Sequence, residues 1–279
     1  MDLASIGVLA ALGVAAGTFG SMLGVGGGML VVPFLTTFFP AAFGFPQARA
    51  TSLLAVIATS TGVAVATGRD RFVNVRLGIS LAVPTTLAAL LAGLLAAYAN
   101  RSLLFGLFAA VLAINALLMW RPEREENGAG ETHDEAPLGA LDGSYVDPKT
   151  GERCSYRVKR VGGAMALSAA AGTMSALLGV GGGIFQVPGM NVLAGVPMRA
   201  AVATSNFLLG VTAVASAAVY WGRGDVKPLE SAAVILGVLA GAFLGSAIAR
   251  RLHGNTLRRL FSLVLVALAV QMARKAGGA

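Results

Sequence analysis

Charged residues are scarce in this sequence, and acidic residues are almost missing from its hydrophobic parts. Only 12% of the 279 residues are charged, whereas 56% are hydrophobic and the mean hydropathy is +0.76. One soluble core cannot bury that much apolar surface, which excludes a water-soluble globular fold. Nine of the thirteen acidic residues lie in residues 121–160, and the other four stand at the ends of apolar segments. We therefore expect no carboxylate-based cation site or proton relay inside a membrane.

Cysteine and histidine are also nearly absent. A lone Cys154 excludes an internal disulfide and a thiolate metal cluster. His133 and His253 are far apart, and the apolar segments hold no Ser, His and Asp combination. We therefore expect no metal, no cofactor and no enzymatic activity. The net charge of +8 does not indicate nucleic acid binding, because the basic residues lie in short loops rather than in a stripe with aromatic residues.

Long apolar runs dominate the sequence instead. A helix needs about 20 apolar residues to cross a hydrocarbon layer ~30 Å thick. Eight segments serve as predicted spans: Leu3–Leu23, Leu53–Thr67, Leu77–Ala97, Leu103–Trp120, Val161–Leu178, Ala200–Trp221, Leu229–Ala249 and Leu257–Met272. The first segment has no basic residue ahead of it, which favours a span over a signal peptide. The sequence thus predicts an all-α, multi-pass membrane protein.

The two halves of the chain share one motif. Residues 15–33, AAGTFGSMLGVGGGMLVVP, align without a gap with residues 170–188, AAGTMSALLGVGGGIFQVP. After each copy come a proline, an arginine and a Thr-Ser pair. The chain therefore divides into a first transmembrane repeat at 1–120, a polar linker at 121–160 and a second repeat at 161–279. In the linker, β-prone runs flank an Asp-Pro-Lys-Thr-Gly turn signal, which indicates a small β-hairpin.

The glycine run of each motif is expected to interrupt a helix. Four glycines in five positions, at 24–28 and at 179–183, disfavour helix by about 3 to 4 kcal/mol. Short half-helices are predicted after them, from Met29 to Phe39 and from Ile184 to Ala194. Non-helical backbone inside a bilayer persists only where protein or a water-filled cavity satisfies its polar groups. The breaks should therefore line a cavity.

The charge distribution favours an inverted arrangement of the two repeats. If each broken helix returns to its starting side, three further crossings follow, and the second repeat is upside down relative to the first. With both termini outside, fifteen Lys and Arg residues lie inside and six outside, or eight and six without the linker. This bias satisfies the positive-inside rule. The predicted fold has two inverted repeats, each a broken helix hairpin (helix plus half-helix) followed by three transmembrane helices, with a cytoplasmic linker.

Two opposed half-helix N-termini at the midplane would form an anion site without charged side chains. A helix N-terminus offers free N–H groups and about half a positive charge, and inverted-repeat carriers use this arrangement. The predicted binding residues are Gly24, Val25, Gly26, Gly27, Gly28, Gly179, Val180, Gly181, Gly182 and Gly183, with side-chain donors from Thr18, Ser21, Thr51, Ser52, Thr173, Ser175, Gln186, Thr204, Ser205 and Asn206. Alternatively, any one of these hydroxyls only bonds a helix carbonyl and lets the helices pack closely.

Further polar residues distinguish the two halves. Gln186 and Asn206 stand where the first half has Val31 and Leu53, an asymmetry that would orient a non-spherical anion. Arg49 and Arg199 precede the Thr-Ser pairs and are expected at the cavity mouths. There they would either gather anions or anchor the helices at the membrane interface.

The doubled GxGGG-x-x-x-x-P segments, each followed by a helix with a Thr-Ser pair, resemble the TauE/SafE family of sulfite exporters, also called the toluene sulfonate uptake permease group. The resemblance covers nearly the whole chain except the polar central loop. It implies a carrier in the prokaryotic plasma membrane for small sulfur oxyanions or organosulfonates such as sulfite, thiosulfate or sulfoacetate. It leaves the substrate and the direction open. The lack of a cysteine within a span argues against sulfur-exchange chemistry.

The predicted function is transport of a small anion by alternating access, with the bilayer and the anion as partners and a homodimer compatible with the sequence. Without carboxylates in the spans, coupling would depend on the substrate's own protonation or on the membrane potential. The potential is worth about 2.3 kcal/mol per charge per 100 mV and drives anions outward, which favours export. Two alternatives stay open: a membrane platform or assembly factor that binds partner proteins through the linker, and an anion channel.

Overall fold

Ten α-helices make up most of the part of the chain that the structure describes. The computed structural model describes residues 3–67, 72–96, 100–120, 131–132, 139–146, 153–249 and 254–278. The helices of the first half are α1 (Leu3–Leu23), α2 (Gly28–Phe38), α3 (Phe45–Thr67), α4 (Val75–Leu95) and α5 (Arg101–Trp120). The second half has α6 (Val161–Leu178), α7 (Gly183–Pro188), a π-helical turn (Gly189–Leu193), α8 (Met198–Gly222), α9 (Pro228–Ala249) and α10 (Gly254–Gly278).

Six of the described helices, α1, α3, α4, α6, α8 and α9, are long and apolar enough to cross a membrane. The helical architecture is therefore that of a multi-pass membrane protein. Helix α2 and residues Leu104–Ile114 of α5 form shorter apolar helices. The crossings predicted for α5 and α10 remain predictions.

Helix pairing joins the two halves. Helix α1 packs along α9, and α6 packs along α4. Helix α3 contacts α8 and α9, α8 also contacts α4, and α5 packs against α10. Each of these long helices thus has a major neighbour in the other half, and the two halves share one hydrophobic interior.

Glycines make the α1–α9 contact close. Gly13 and Gly17 lie one turn apart on α1, and Gly237 and Gly241 lie one turn apart on α9. A β-carbon on Gly13 would lie only 2.9 Å from the backbone nitrogen of Val238. Small residues at such spacing let helix backbones approach closely in a membrane, where dispersion contacts drive helix association.

Both half-helices lie within one residue of their predicted bounds, but the second changes its hydrogen-bonding pattern. The first runs from Gly28 to Phe38, whereas the second is α-helical only to Pro188 and continues as the π-helical turn to Leu193. The amide of Ala194 donates to the carbonyl of Gly189 at 3.3 Å, an i to i−5 bond. A proline removes one helical hydrogen bond, and the glycine after Pro188 lowers helix propensity further, whereas Phe34 follows the proline of α2.

The linker contributes a small antiparallel sheet. Strand β2 (Gly143–Val146) pairs with β3 (Arg153–Tyr156), and β1 (Glu131–Thr132) pairs with the other edge of β3. The Asp-Pro-Lys-Thr-Gly turn, residues 147–151, lies outside the described residues.

Asn74 attaches this sheet to the start of α4. Its side-chain Nδ2 donates to the carbonyl of Leu141 at 2.9 Å, and its Oδ1 accepts the amide of Leu77 at 3.0 Å as a helix N-cap. Tyr156 packs beside it, and burial raises the pKa of the Tyr156 hydroxyl, partly offset by its hydrogen bond with Asn74. The linker is therefore fixed to the helical body on this side.

Candidate functional site

The first glycine break separates α1 from α2. Between the end of α1 at Leu23 and the start of α2 at Gly28, Gly24 and Gly26 have φ angles of +67° and +78°. Glycine adopts this left-handed backbone at little cost, whereas a side chain would be strained. Val25 between them is only 5% exposed. The interruption is therefore built into the backbone and lies inside the protein.

The second glycine break is similar, but Gly182 is left-handed where the corresponding Gly27 has φ −65°. It lies between the end of α6 at Leu178 and the start of α7 at Gly183. Three of its glycines have positive φ: Gly179 (+73°), Gly181 (+89°) and Gly182 (+68°). Val180 is 3% exposed. Both breaks therefore occupy the protein interior.

The two breaks contact each other reciprocally. A β-carbon on Gly28 would lie 2.6 Å from the carbonyl oxygen of Gly179, and one on Gly183 would lie 2.7 Å from that of Gly24. Only glycine permits backbones to meet at these distances. Each half-helix therefore begins against the break of the other half, and backbone fills the space between them in this structure.

The breaks lie where α3 and α8 cross. Val56 of α3 and Leu209 of α8 both lie 3.1–3.6 Å from the β-carbon positions of Gly26 and Gly181. We call this region the α3–α8 crossing, centred on Val56 and Leu209. The two long helices thus cover the breaks from one side.

Two hydroxyls of α3 tie the breaks together. The Ser52 hydroxyl lies 2.5 Å from the carbonyl oxygen of Gly179 and 3.0 Å from that of Gly28, so it bridges the two halves. Thr59 Oγ1 accepts the amide of Gly27 at 3.3 Å. Thr59 is absent from the residues predicted from the sequence, although its spacing of seven from Ser52 places both on one helix face.

Six of the other predicted hydroxyls use their hydrogen bonds for packing, and Ser175 Oγ is buried without a partner. Three of them donate to carbonyls of their own helix: Thr18 to Val14 at 2.7 Å, Ser21 to Thr18 at 3.0 Å and Thr173 to Ala169 at 3.1 Å. Thr51 shares a 2.9 Å bond with Ser231, Thr204 accepts the amide of Asn74 at 3.0 Å, and Ser205 lies 3.4 Å from Gln186 Oε1. These bonds correspond to the packing interpretation of the hydroxyls.

The half-helix starts place several backbone amides beside the breaks. The N–H groups of Gly28, Met29 and Gly183 belong to the first turns of α2 and α7. Such groups are the ones that a helix N-terminus cannot satisfy by itself. They supply the donors that an anion at these helix starts would need.

A cavity of about 390 Å³ opens on one side of the α3–α8 crossing. Its lining comes from the second half of α3, the first half of α8 and Val73: Ile57, Ser60, Thr61, Val63, Ala64, Ala203, Asn206, Phe207, Gly210, Val211 and Val214. At roughly 30 Å³ per water, such a space holds on the order of ten waters or a small anion.

The polar groups of this cavity are hydroxyls and one amide. Asn206 is 4% exposed, and its Oδ1 has no hydrogen-bond partner. Ser60 donates to the backbone carbonyl of Asn206 at 2.6 Å. The described residues bring together no group of three His, Cys, Asp or Glu that would hold a metal ion. The rest of the lining is apolar, so the polar contacts available to a ligand here come from three neutral side chains, Ser60, Thr61 and Asn206.

The opposite side of the crossing is filled. A hydrophobic cluster occupies it: Ala50, Leu53, Val56, Ala96, Leu209, Ala213, Ala217 and Tyr220. At its end, the guanidinium of Arg49 lies over the rings of Phe45 and Tyr220, 4.8 and 5.2 Å from their centroids. A cavity thus lies on one side of the α3–α8 crossing, whereas a hydrophobic cluster fills the other.

Arg49 does not lie at a cavity mouth as expected. Its side chain is 3% exposed, and Nη1 donates to the carbonyl of Leu177 at 3.0 Å in the last turn of α6. A helix C-terminus leaves carbonyls unsatisfied and carries partial negative charge, which a cation complements. This attraction explains why the arginine points inward. The side chain of Arg199, predicted at the matching mouth, lies outside what the structure describes.

The comparisons with known proteins agree with the membrane architecture. The sequence model of the family described as "Sulfite exporter TauE/SafE" matches residues 9–272. The chain is 27% identical over 273 residues to the probable membrane transporter protein YunE of Bacillus subtilis (strain 168), which covers 95% of this chain and 96% of YunE. It is 26% identical over 292 residues to the probable membrane transporter protein MamO of Magnetospirillum gryphiswaldense, covering 97% of this chain and 45% of MamO. No solved structure gives a significant match.

Proposed function

Because the chain belongs to the TauE/SafE family of sulfite exporters, we propose that it carries a small sulfur-containing anion by alternating access. The substrate would be sulfite or an organosulfonate such as sulfoacetate. Membrane transport is the activity shared by the names of the family and of its relatives. The observation that carries the proposal is the meeting of two glycine breaks at a crossing that is open on one side and closed on the other.

An inverted relation between the two repeats is part of this proposal. If each helix is replaced by its counterpart in the other half, the pair α1–α9 becomes α6–α4, which is also observed. In the same way, the pair α3–α9 becomes the observed pair α8–α4. The contact between Gly28 and Gly179 likewise corresponds to the contact between Gly183 and Gly24. Such reciprocity supports a two-fold axis through the crossing, as in inverted-repeat carriers.

The proposed route starts in the cavity and ends at the helix starts. An anion there would contact Asn206 and Ser60, one helical turn from Val56 and Leu209. Separation of the contacting breaks would then expose the first-turn amides of Gly28 and Gly183 to it. The positive ends of both half-helices would hold the charge while one side closes and the other opens.

Direction and placement follow from the electrostatics of a membrane. We propose a prokaryotic plasma membrane location with both termini outside, which puts the linker and the cavity on the cytoplasmic side. The membrane potential then drives the bound anion outward, so export is the expected direction.

Specific contacts bear on the alternatives. The hydrophobic cluster that fills one side of the crossing favours a carrier over a channel, because a channel needs a continuous opening. The linker sheet, fixed to α4 through Asn74, makes a membrane platform for partner proteins the second candidate.

Flux measurements test the proposal. Purified full-length protein in liposomes should transport at least one member of a panel of sulfite, thiosulfate, sulfate, sulfoacetate and taurine. Gly26→Leu or Gly181→Leu should abolish that flux, because each side chain would meet Val56 and Leu209. Gly7→Leu is the matched control, since nothing lies within 4 Å of its β-carbon position. A lack of flux for every anion, with a folded protein, would refute the carrier proposal.

A further inference from the structure

Several polar side chains beside the second break are buried without partners. They include Arg49 Nε, Ser175 Oγ, Thr212 Oγ1 and Ser216 Oγ. All four residues are at most 3% exposed. Buried polar atoms are almost always hydrogen-bonded in native proteins, and the exceptions call for an explanation such as an absent ion or water.

Among these groups, Arg49 has the highest free-energy cost of burial, because its side chain is charged. No carboxylate of a described residue lies within 4.0 Å of its guanidinium, and Asp225 and Arg223 act on it only from farther away. Its Nη1 contact with Leu177 and its stacking on Phe45 and Tyr220 leave Nε–H unused. A buried cation without a directly paired carboxylate is unfavourable, so this position is suited to receive an anion.

The hydroxyls of α8 lie on the path from the second break to Arg49. Leu209, Thr212, Ser216 and Tyr220 are spaced by three and four residues, which places them along one face of α8. One end of this face contacts the second break through Leu209, and the other contacts α6 through the Tyr220 hydroxyl, which donates to Ala176 at 2.8 Å. Thr212 and Ser216 therefore lie between the break and the arginine.

Ser175 extends this polar face from the side of α6. It lies one residue before Ala176 and two before Leu177, the carbonyls that bind Tyr220 and Arg49. We call Arg49, Ser175, Thr212 and Ser216 the polar row. It follows the closed side of the crossing, opposite the cavity.

The first break has no equivalent of the polar row. Val202 contacts the β-carbon position of Gly24 at 2.6 Å, where the backbone of Arg49 contacts that of Gly179 at 3.0 Å. At the offset of the Thr-Ser pairs, Val63 corresponds to Ser216, and Thr59 corresponds to Thr212 but is already bonded to Ala55 and Gly27. The polar row, with Arg49 from the first repeat and the three hydroxyls from the second, is therefore a feature of the second break and not a consequence of the repeat.

We propose that the polar row is the charge-recognition site for the substrate anion on the closed side of the crossing, with Arg49 as its specificity-determining residue. This inference rests on the proposed carrier function and specifies its substrate class as oxyanions with charge-dense oxygens, such as sulfonates and carboxylates. A guanidinium binds such groups through directed N–H bonds. While this side is closed, the Arg49 guanidinium is held by its hydrogen bond to Leu177 and its contacts with the rings of Phe45 and Tyr220. When this side opens, the anion can reach the Arg49 Nε–H and the hydroxyls and bind to them.

Steady-state flux of sulfoacetate in proteoliposomes tests the inference through the split between KM and kcat. Arg49→Gln should raise KM at least tenfold, and Thr212→Val or Ser216→Ala about threefold, with small changes in kcat. The matched control is Arg223→Gln: this exposed arginine lies over the same Tyr220 ring at 5.9 Å and donates to Leu94. Its KM should stay within twofold of the wild type. A purely structural arginine would lower kcat or the melting temperature and leave KM unchanged.

Arg49→Lys keeps the inference testable if the glutamine variant does not fold. Lysine retains the charge and can still reach the end of α6, but it lacks the Nε–H, so KM should rise at least threefold. An unchanged KM in the folded variant would overturn the role of Arg49 while leaving the carrier proposal intact. If the wild type transports nothing, the carrier proposal itself fails, and sulfoacetate-induced thermal stabilisation of wild type against Arg49→Lys then decides whether an anion binds at the arginine.

Discussion

The two glycine breaks have nearly the same sequence, yet they differ in their polar surroundings and in the backbone just before each half-helix. At the first break, the amide of Gly27 is bonded to Thr59. At the second, the corresponding Thr212 has no partner, and Ser175 and Arg49 nearby also keep unused polar atoms. Thr59 and Thr212 are the same residue type, so the backbone makes the difference: φ is −65° at Gly27 and +68° at Gly182. The first break is thus completed internally, whereas the second keeps polar atoms that can bind a ligand. The comparison separates residues that build the crossing from residues available for a substrate.

Substitution of the glycines where the two breaks contact each other should cause the largest loss of flux. The loss should be equal at the two breaks. Gly28→Ala and Gly183→Ala each place a β-carbon within 2.6–2.7 Å of a carbonyl of the opposite break. Overpacking of this kind costs about 1–3 kcal/mol and would separate the breaks, so we expect flux to fall at least tenfold in both. Proteoliposome flux and melting temperature measure this, with Gly7→Ala as control. A tolerated substitution at one break alone would show that the contacts are not equivalent.

The serines that follow each break should differ in their effect on stability. Ser52 bridges carbonyls of both halves at 2.5 and 3.0 Å, whereas Ser205 has only a long 3.4 Å contact with Gln186. Removing Ser52 leaves buried carbonyls unsatisfied, so Ser52→Ala should lower the free energy of unfolding by about 1–3 kcal/mol. Ser205→Ala should change it by less than about 0.5 kcal/mol. Thermal unfolding in detergent checks this, and equal losses would contradict the assignment of Ser52 as the bridge.

The paired threonines separate a structural from a binding role most directly. Thr59→Val removes the acceptor of the Gly27 amide and should destabilise the protein by about 1 kcal/mol. Thr212→Val removes an unpartnered hydroxyl, so stability should stay the same or increase while KM for the anion rises. Both variants need unfolding and flux measurements side by side. A destabilised Thr212→Val with unchanged KM would mean that its hydroxyl has a structural partner.

The smallest difference is expected at the Thr-Ser pairs. Thr51 bonds Ser231 at 2.9 Å, and Thr204 accepts the Asn74 amide at 3.0 Å. Thr51→Val and Thr204→Val each remove one buried hydrogen bond, so both should cost about 0.5–1.5 kcal/mol. Thermal unfolding would show whether the two losses agree. A much larger loss for Thr204→Val would indicate that the linker depends on this bond as well.

The interruption of the helices was predictable because it is local. Glycine density alone predicts where α1 and α6 end, and the first half-helix begins one residue from its predicted start. The TauE/SafE resemblance, read from the doubled motif, is confirmed by the family match over residues 9–272. The second half-helix also lies within one residue of its predicted bounds, but its change from α- to π-helix at Gly189 was not predicted, because the glycine after Pro188 lies outside the aligned motif.

The position of Arg49 could not be read from the sequence. Its burial depends on the carbonyl of Leu177, which is 128 residues away along the chain. The sequence comparison pairs Arg49 with Arg199, but the structure places Val202 at the equivalent contact because the loops before α3 and α8 differ in length. The cavity could not be predicted from the sequence either, because it depends on how α3 and α8 cross. Thr59 could have been predicted as a site residue, because its helical spacing from Ser52 places both residues on the same face of α3.

The pairing of α1 with α9 has a consequence for biosynthesis. Helix α1 leaves the ribosome first, but its main neighbour begins at Pro228, more than two hundred residues later. At roughly 5–20 residues per second, that interval lasts on the order of 10–45 s. During this time α1 is in the insertion machinery or in lipid, and its face with Gly13 and Gly17 is not yet packed against α9. Truncation before α9 should therefore leave an incompletely packed first helix, which membrane quality-control proteases would recognise.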